Sequence, residues 1–136
     1  MQIKIPDIAL RGYQKPLWRF LDHGGKRAVA VWHRRAGKDT LSLHWTAYDM
    51  VRSPGMYLHM LPTQRQARKV IWDARDKQGR RLLDVAIPPI IRAKTNESEM
   101  KIELKPTKAG AAGAIWQLCG SDNYDSIVGT NPRGVV

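Results

Sequence analysis

Acidic residues are scarce: 12 Asp and Glu stand against 23 Lys and Arg, for a net charge of +11. That balance disfavours a cationic partner and suits a polyanion such as DNA, RNA or a nucleotide phosphate. Cysteine is nearly absent. Cys119 alone excludes an internal disulfide and a thiolate metal cluster, and is expected to be a small buried hydrophobe in a chain built for a reducing interior. No apolar run approaches the ~20 residues of a membrane span, and "MQIKIPDIALRG" lacks the apolar centre of a signal peptide, so a cytoplasmic location without membrane contact is expected. Repeats, linkers and low-complexity tracts are also missing, and with 136 residues of 43% apolar content the chain reads as one domain or part of one.

What is there alternates between strand and helix patterns. "RGYQKPLWRFLD", Arg11 to Asp22, sets Tyr13, Leu17, Phe20 and Leu21 at helical spacing, with Pro16 in the first turn and "HGGK" as the stop. "RAVAVWH", Arg27 to His33, is a Val-rich run of the kind buried on both faces of a parallel sheet. A helix is expected from about Gly37 to Val51, with Leu41, Trp45 and Tyr48 inward. "MYLHMLP" predicts a strand from Met56 to Leu61, after which Thr63 caps a helix with Ala67, Val70, Ile71 and Ala74 in one stripe. The order predicts an α/β fold, a partial parallel sheet flanked by helices.

Beyond "IPPII" the pattern changes. "SEMKIELKP" alternates Met100, Ile102 and Leu104 with charged residues, and "AIWQLCG" makes a further strand, so the two form a hairpin-type pair. "SDNYDSIVG" offers one helical turn before "GVV" opens another buried strand. The five tryptophans are expected mostly in the core.

"VWHRRAGKDTL" carries the chemistry. A loop between a buried strand and a helix turns backbone N–H groups toward one point, where the helix dipole adds about half a positive charge. Gly37 lets backbone approach phosphate and Lys38 supplies a mobile charge for the β and γ phosphates, although Trp32 replaces the motif's first glycine. ATP is the expected ligand, enclosed by His33, Arg34, Arg35, Ala36, Gly37, Lys38, Asp39 and Thr40. Arg34, ahead of Arg35, is the candidate to stabilise the transferring phosphoryl group from within the chain; contact with DNA or solvent is the alternative for both. Mg²⁺ needs an oxygen ligand beside Lys38, which either the Asp39 carboxylate or Thr40 supplies, with Thr40 favoured. Upstream, Tyr13 could stack on adenine and Gln14 bond to it, with core packing of Tyr13 as the rival reading. Arg65, Arg68 and Lys69 could track a nucleic-acid backbone, or cover a solvated helix face.

Four blocks, "GYQKPLWRFL", "VWHRRAGKDTL", "LPTQRQARKVIWD" and "LCGSDNYDSIVGTNPRGVV", resemble the N-terminal part of the large terminase subunit of tailed bacteriophages. They span nearly the whole chain, and the last is the most specific. The resemblance implies a P-loop ATPase fold of the RecA-like type, and ATP hydrolysis coupled to translocation of double-stranded DNA into a procapsid. It maps the arginine finger onto Arg34 and the phosphate lysine onto Lys38. Expected partners are the portal protein, the small terminase subunit and further copies in a ring, docked transiently at the procapsid portal in the host bacterial cytoplasm. Asp39 departs from the usual Ser or Thr of the motif.

In the family the strand opening at "GVV" leads to an acidic pair, and an RNase H-like nuclease domain follows; both lie beyond Val136. An incomplete ATPase domain, residues 1–136, with little turnover and an open sheet edge is therefore expected. Two rivals stand beside this reading. "LPTQRQA" is also similar to a DNA-contact block of superfamily 2 helicases, and a non-enzymatic basic DNA-binding module would make "AGK" incidental.

Overall fold

A computed structural model describes residues 8–127 and 129–136. Residues 1–7 and Val128 of the "SDNYDSIVG" run lie outside the described residues. The element order is α1 (Lys15–Asp22), α2 (Lys38–Arg52), β1 (Met56–Leu61), α3 (Gln64–Ala67), α4 (Leu82–Ala86), β2 (Arg92–Asn96), β3 (Lys101–Leu104), β4 (Ile115–Gly120) and β5 (Gly134–Val135). Short 3-10 segments cover Gly12–Gln14, Pro89–Ile91 and Ser121–Ser126.

The strands form one mixed α/β sheet in the order β2-β3-β4-β1-β5. β1 runs parallel to β4, with Tyr57 opposite Trp116, and parallel to β5, with Leu58 opposite Val135. β3 pairs antiparallel with both β2 and β4. The sheet thus has a parallel side and an antiparallel extension. Its pleat puts Tyr57, Ile102, Trp116 and Leu118 into a core closed by Leu43, Ala47 and Met50 of α2, at intervals of four and three residues. Trp72 and Trp116 stack with ring centroids 6.3 Å apart, and both are fully buried.

Several expectations hold residue for residue. β1 spans Met56–Leu61, Thr63 Oγ1 accepts the Gln66 N–H at 3.1 Å as an N-cap, and Met100, Ile102 and Leu104 are buried in alternation. β3 and β4 pair antiparallel, and a strand, β5, forms at the "GVV" run as an edge strand, with Val135 57% exposed where burial was expected.

Four expectations are corrected. "RAVAVWH" is not a strand: it pairs with no described strand, and Val29 and Val31 are 91% and 88% exposed. β-branched residues favour extended backbone, but a buried strand needs a neighbour on its edge, and none of the described strands supplies one. Helix α1 forms yet buries none of its residues, and Phe20 is exposed; α1 meets α2 through Trp18 and through the Asp22–Arg52 ion pair. On α2, Leu41 is buried as expected but Trp45 and Tyr48 are half-exposed; with Trp18 of α1 they form an aromatic cluster outside the core, Trp18 and Trp45 meeting edge-on at 5.0 Å. After α3 the chain continues as a π-helical turn, Arg68–Trp72, closed by the Asp73 N–H on the Arg68 carbonyl. That wider turn rotates the apolar stripe, so Ala67, Ile71 and Trp72 are buried while Val70 is exposed.

Candidate phosphate-binding site

The loop before α2 is set by two left-handed residues. Arg35 has φ 63° and Gly37 has φ 80°. A Cβ on Gly37 would be strained by that φ and would meet Gln14 Nε2 at 2.8 Å, so glycine is required here. Alternating backbone handedness of this kind turns successive N–H groups inward, the geometry of an anion nest.

The amino end of α2 is open to a ligand. No side chain caps it, and the first intrahelical bond runs from the Leu41 N–H to the Gly37 carbonyl. The N–H groups of Lys38, Asp39 and Thr40 therefore have no acceptor within the helix. Lys38 Nζ lies over the loop, donating to the Trp32 carbonyl at 2.8 Å and more weakly to His33 at 3.5 Å. Its ammonium is thus held beside the nest.

Where this loop sits follows from the turn after α2. Ser53, Pro54 and Gly55 reverse the chain, and the Tyr57 hydroxyl bonds the Asp49 carboxylate at 2.9 Å and the Ser53 carbonyl at 2.7 Å. Helix α2 therefore lies antiparallel over β1, and its amino end stands above the carboxyl end of β1. The carboxyl ends of parallel strands are where open α/β sheets place their ligands. His59, near that end, is buried and feels the charge of Asp39. Burial pushes its imidazole below the ordinary histidine range, and the Asp39 carboxylate partly offsets this.

The loop is braced from outside by the 3-10 segment before α1. Gln14, 3% exposed, donates through Nε2 to the carbonyls of Ala36 at 3.0 Å and Gly37 at 3.4 Å, while its Oε1 accepts the Arg11 N–H at 2.9 Å. Tyr13 Oη donates to the Ala36 carbonyl at 2.9 Å and accepts from Arg11 Nη1, which also reaches the Arg35 carbonyl. The Tyr13 ring meets Trp32 and His33 edge-on, with centroids at 5.4 and 6.2 Å. Arg11 is also part of this brace: it bonds Tyr13 and Gln14 locally, and its one long-range bond is to the Arg35 carbonyl, 24 residues away.

The site residues expected from sequence thus fall into two groups. Tyr13, Gln14 and the run from His33 to Thr40 come together around the amino end of α2. Ala36 is buried at the base of the loop, while Arg34 and Arg35 present exposed guanidinium groups. Asp39 is exposed and Thr40 half-buried in the first turn. As neighbours on one helical turn, the two side chains point in different directions. Among the described residues no three His, Cys, Asp or Glu side chains gather into a metal cage.

The second group stands apart on α3 and the turn after it. Arg68 Nη2 donates to the carbonyls of Glu97 at 2.8 Å and Ser98 at 3.3 Å, tying the helix to the β2-β3 hairpin. Arg65 and Lys69 are exposed. Cys119 is half-buried, with its thiol pushed up by burial.

No family model matches the chain, and no curated protein or solved structure is similar to it. No described helix is long and apolar enough to cross a membrane.

Proposed function

We propose that this chain is the ATP-binding portion of a P-loop motor of the phage terminase type, which hydrolyses ATP to drive double-stranded DNA into a procapsid. One observation supports this most: a glycine-containing loop with two left-handed residues and a lysine ends at an uncapped helix, above the carboxyl end of a parallel strand. In this reading the loop and helix end cradle a nucleoside triphosphate as helix amino ends in α/β folds hold phosphate, although the strand expected directly before the loop does not form.

In this reading the free N–H groups of Lys38, Asp39 and Thr40 orient the phosphate chain. Lys38 exchanges the Trp32 carbonyl for the β and γ phosphates. Asp39 or Thr40 would hold Mg²⁺, which when bound neutralises charge on the phosphate oxygens. Arg34, exposed in the loop, would approach the γ phosphate and stabilise the charge that spreads over it during transfer. The exposed Arg65 and Lys69, with the general excess of cations, are suited to a DNA backbone. Portal, small subunit and ring neighbours belong to this proposal as partners.

Limited proteolysis with and without Mg-ATP tests the nucleotide half of the reading. ATP is expected to protect the segment from Lys26 to Arg35, and Lys38→Ala to abolish the protection. DNA binding that persists with no response to ATP in either protein would instead favour a non-enzymatic basic module.

A further inference from the structure

Among the described residues, the two side chains the sequence offers for reading a base, Gln14 and Tyr13, are already engaged. Gln14 offers two N–H donors and one carbonyl oxygen, and its bonds run to the Ala36 and Gly37 carbonyls and from the Arg11 N–H. Its oxygen keeps a second lone pair, but with 3% of the residue exposed no ligand edge reaches it. The Tyr13 hydroxyl is likewise engaged on both sides, by the Ala36 carbonyl and by Arg11. What this corner presents to solvent is ring surface: Tyr13 is 43% exposed and stands edge-on to Trp32 and His33. Every base has a π-face, so stacking accepts adenine and guanine alike, whereas discrimination between them needs hydrogen bonds to the base edge.

Resting on the triphosphate reading above, we infer that this site takes purine nucleoside triphosphates without selecting adenine, and that Gln14 is a positioning residue for the phosphate loop. Gln14 acts through the carbonyls of Ala36 and Gly37, holding the left-handed turn at Gly37 that aims the loop N–H groups. Its loss weakens any ligand carrying a phosphate chain, whatever the base.

Competition titrations of the full chain with ATP, GTP and inorganic triphosphate, all with Mg²⁺, test this. ATP and GTP are expected to bind within about threefold of one another, inorganic triphosphate more weakly than either. Gln14→Ala is expected to weaken all three by a common factor of about ten, leaving the ATP to GTP ratio unchanged. An ATP preference above about twentyfold in the unaltered chain, or a Gln14→Ala effect confined to ATP, would overturn the inference while leaving the triphosphate site intact. Failure of all three ligands to bind would instead remove the reading on which it rests. The ratio in the unaltered chain needs no variant, so a folding defect in Gln14→Ala does not blunt the test.

Discussion

The stretch from Met56 to Gly120 and the stretch from Arg11 to Lys38 are held by different forces. The first packs Trp72, Trp116, Ile102 and Leu118 into a core with near-zero exposure. The second buries no residue of α1, leaves Val29 and Val31 in solvent, and is fastened by polar contacts around Gln14 and two aromatic clusters. Hydrophobic burial fixes the platform, and a few hydrogen bonds fix the loop on it. The part that would meet a ligand is the part with the least packing behind it, as expected for elements that must adjust on binding.

The largest predicted effect strikes the platform. Trp116→Ala removes the ring that stacks on Trp72 and leaves a cavity, at an expected cost of about 3–5 kcal/mol. Chemical denaturation measures it, and a loss under about 1 kcal/mol would erase the contrast between the two regions.

Acid comes next. His59 and His44 are both pushed below the ordinary histidine value, chiefly by burial. Below about pH 6.5 the unfolded chain takes up protons that the folded chain refuses, so stability present above that pH drains away as pH falls. The expected slope is at most about 1.4 kcal/mol per pH unit for each histidine. Melting followed from pH 7.5 to 5.5 should show it, and His59→Leu should flatten it. A Tm that rises on acidification would contradict the burial of both rings.

The smallest effect lies in the exposed segment. Val29→Thr with Val31→Thr should change stability by no more than about 0.5 kcal/mol, because neither side chain loses contacts. A loss above about 2 kcal/mol would mean that this segment is paired in solution, and would erase the distinction between arm and platform.

How legible this was depends on which partners each element needs. β1 and β3 were readable because their apolar periodicity and flanking breakers are local, as was the Thr63 cap. β2 was missed because "RAKTN" is an exposed polar edge strand, carried by its pairing with β3 and by no pattern of its own. "RAVAVWH" failed in the opposite way: the propensity is strong, but propensity does not supply a neighbouring strand. The apolar stripe after Thr63 was half right, since the π-helical turn that swaps Val70 for Trp72 leaves no mark in a 3.6-residue pattern. The left-handed turn into α2 was readable from Gly37, while the strand expected before it was not there. The fastening of Gln14, Tyr13 and Arg11 to this loop was not readable, because the bonds that reach it end on backbone carbonyls more than twenty residues away.

Calorimetric titration of Mg-ATP into the unaltered chain and into Lys38→Ala tests the central claim most directly. Saturable binding, weakened at least about tenfold by the substitution, is the predicted result. Equal affinity in the two proteins, or no heat of binding in either, would contradict a triphosphate site at the amino end of α2.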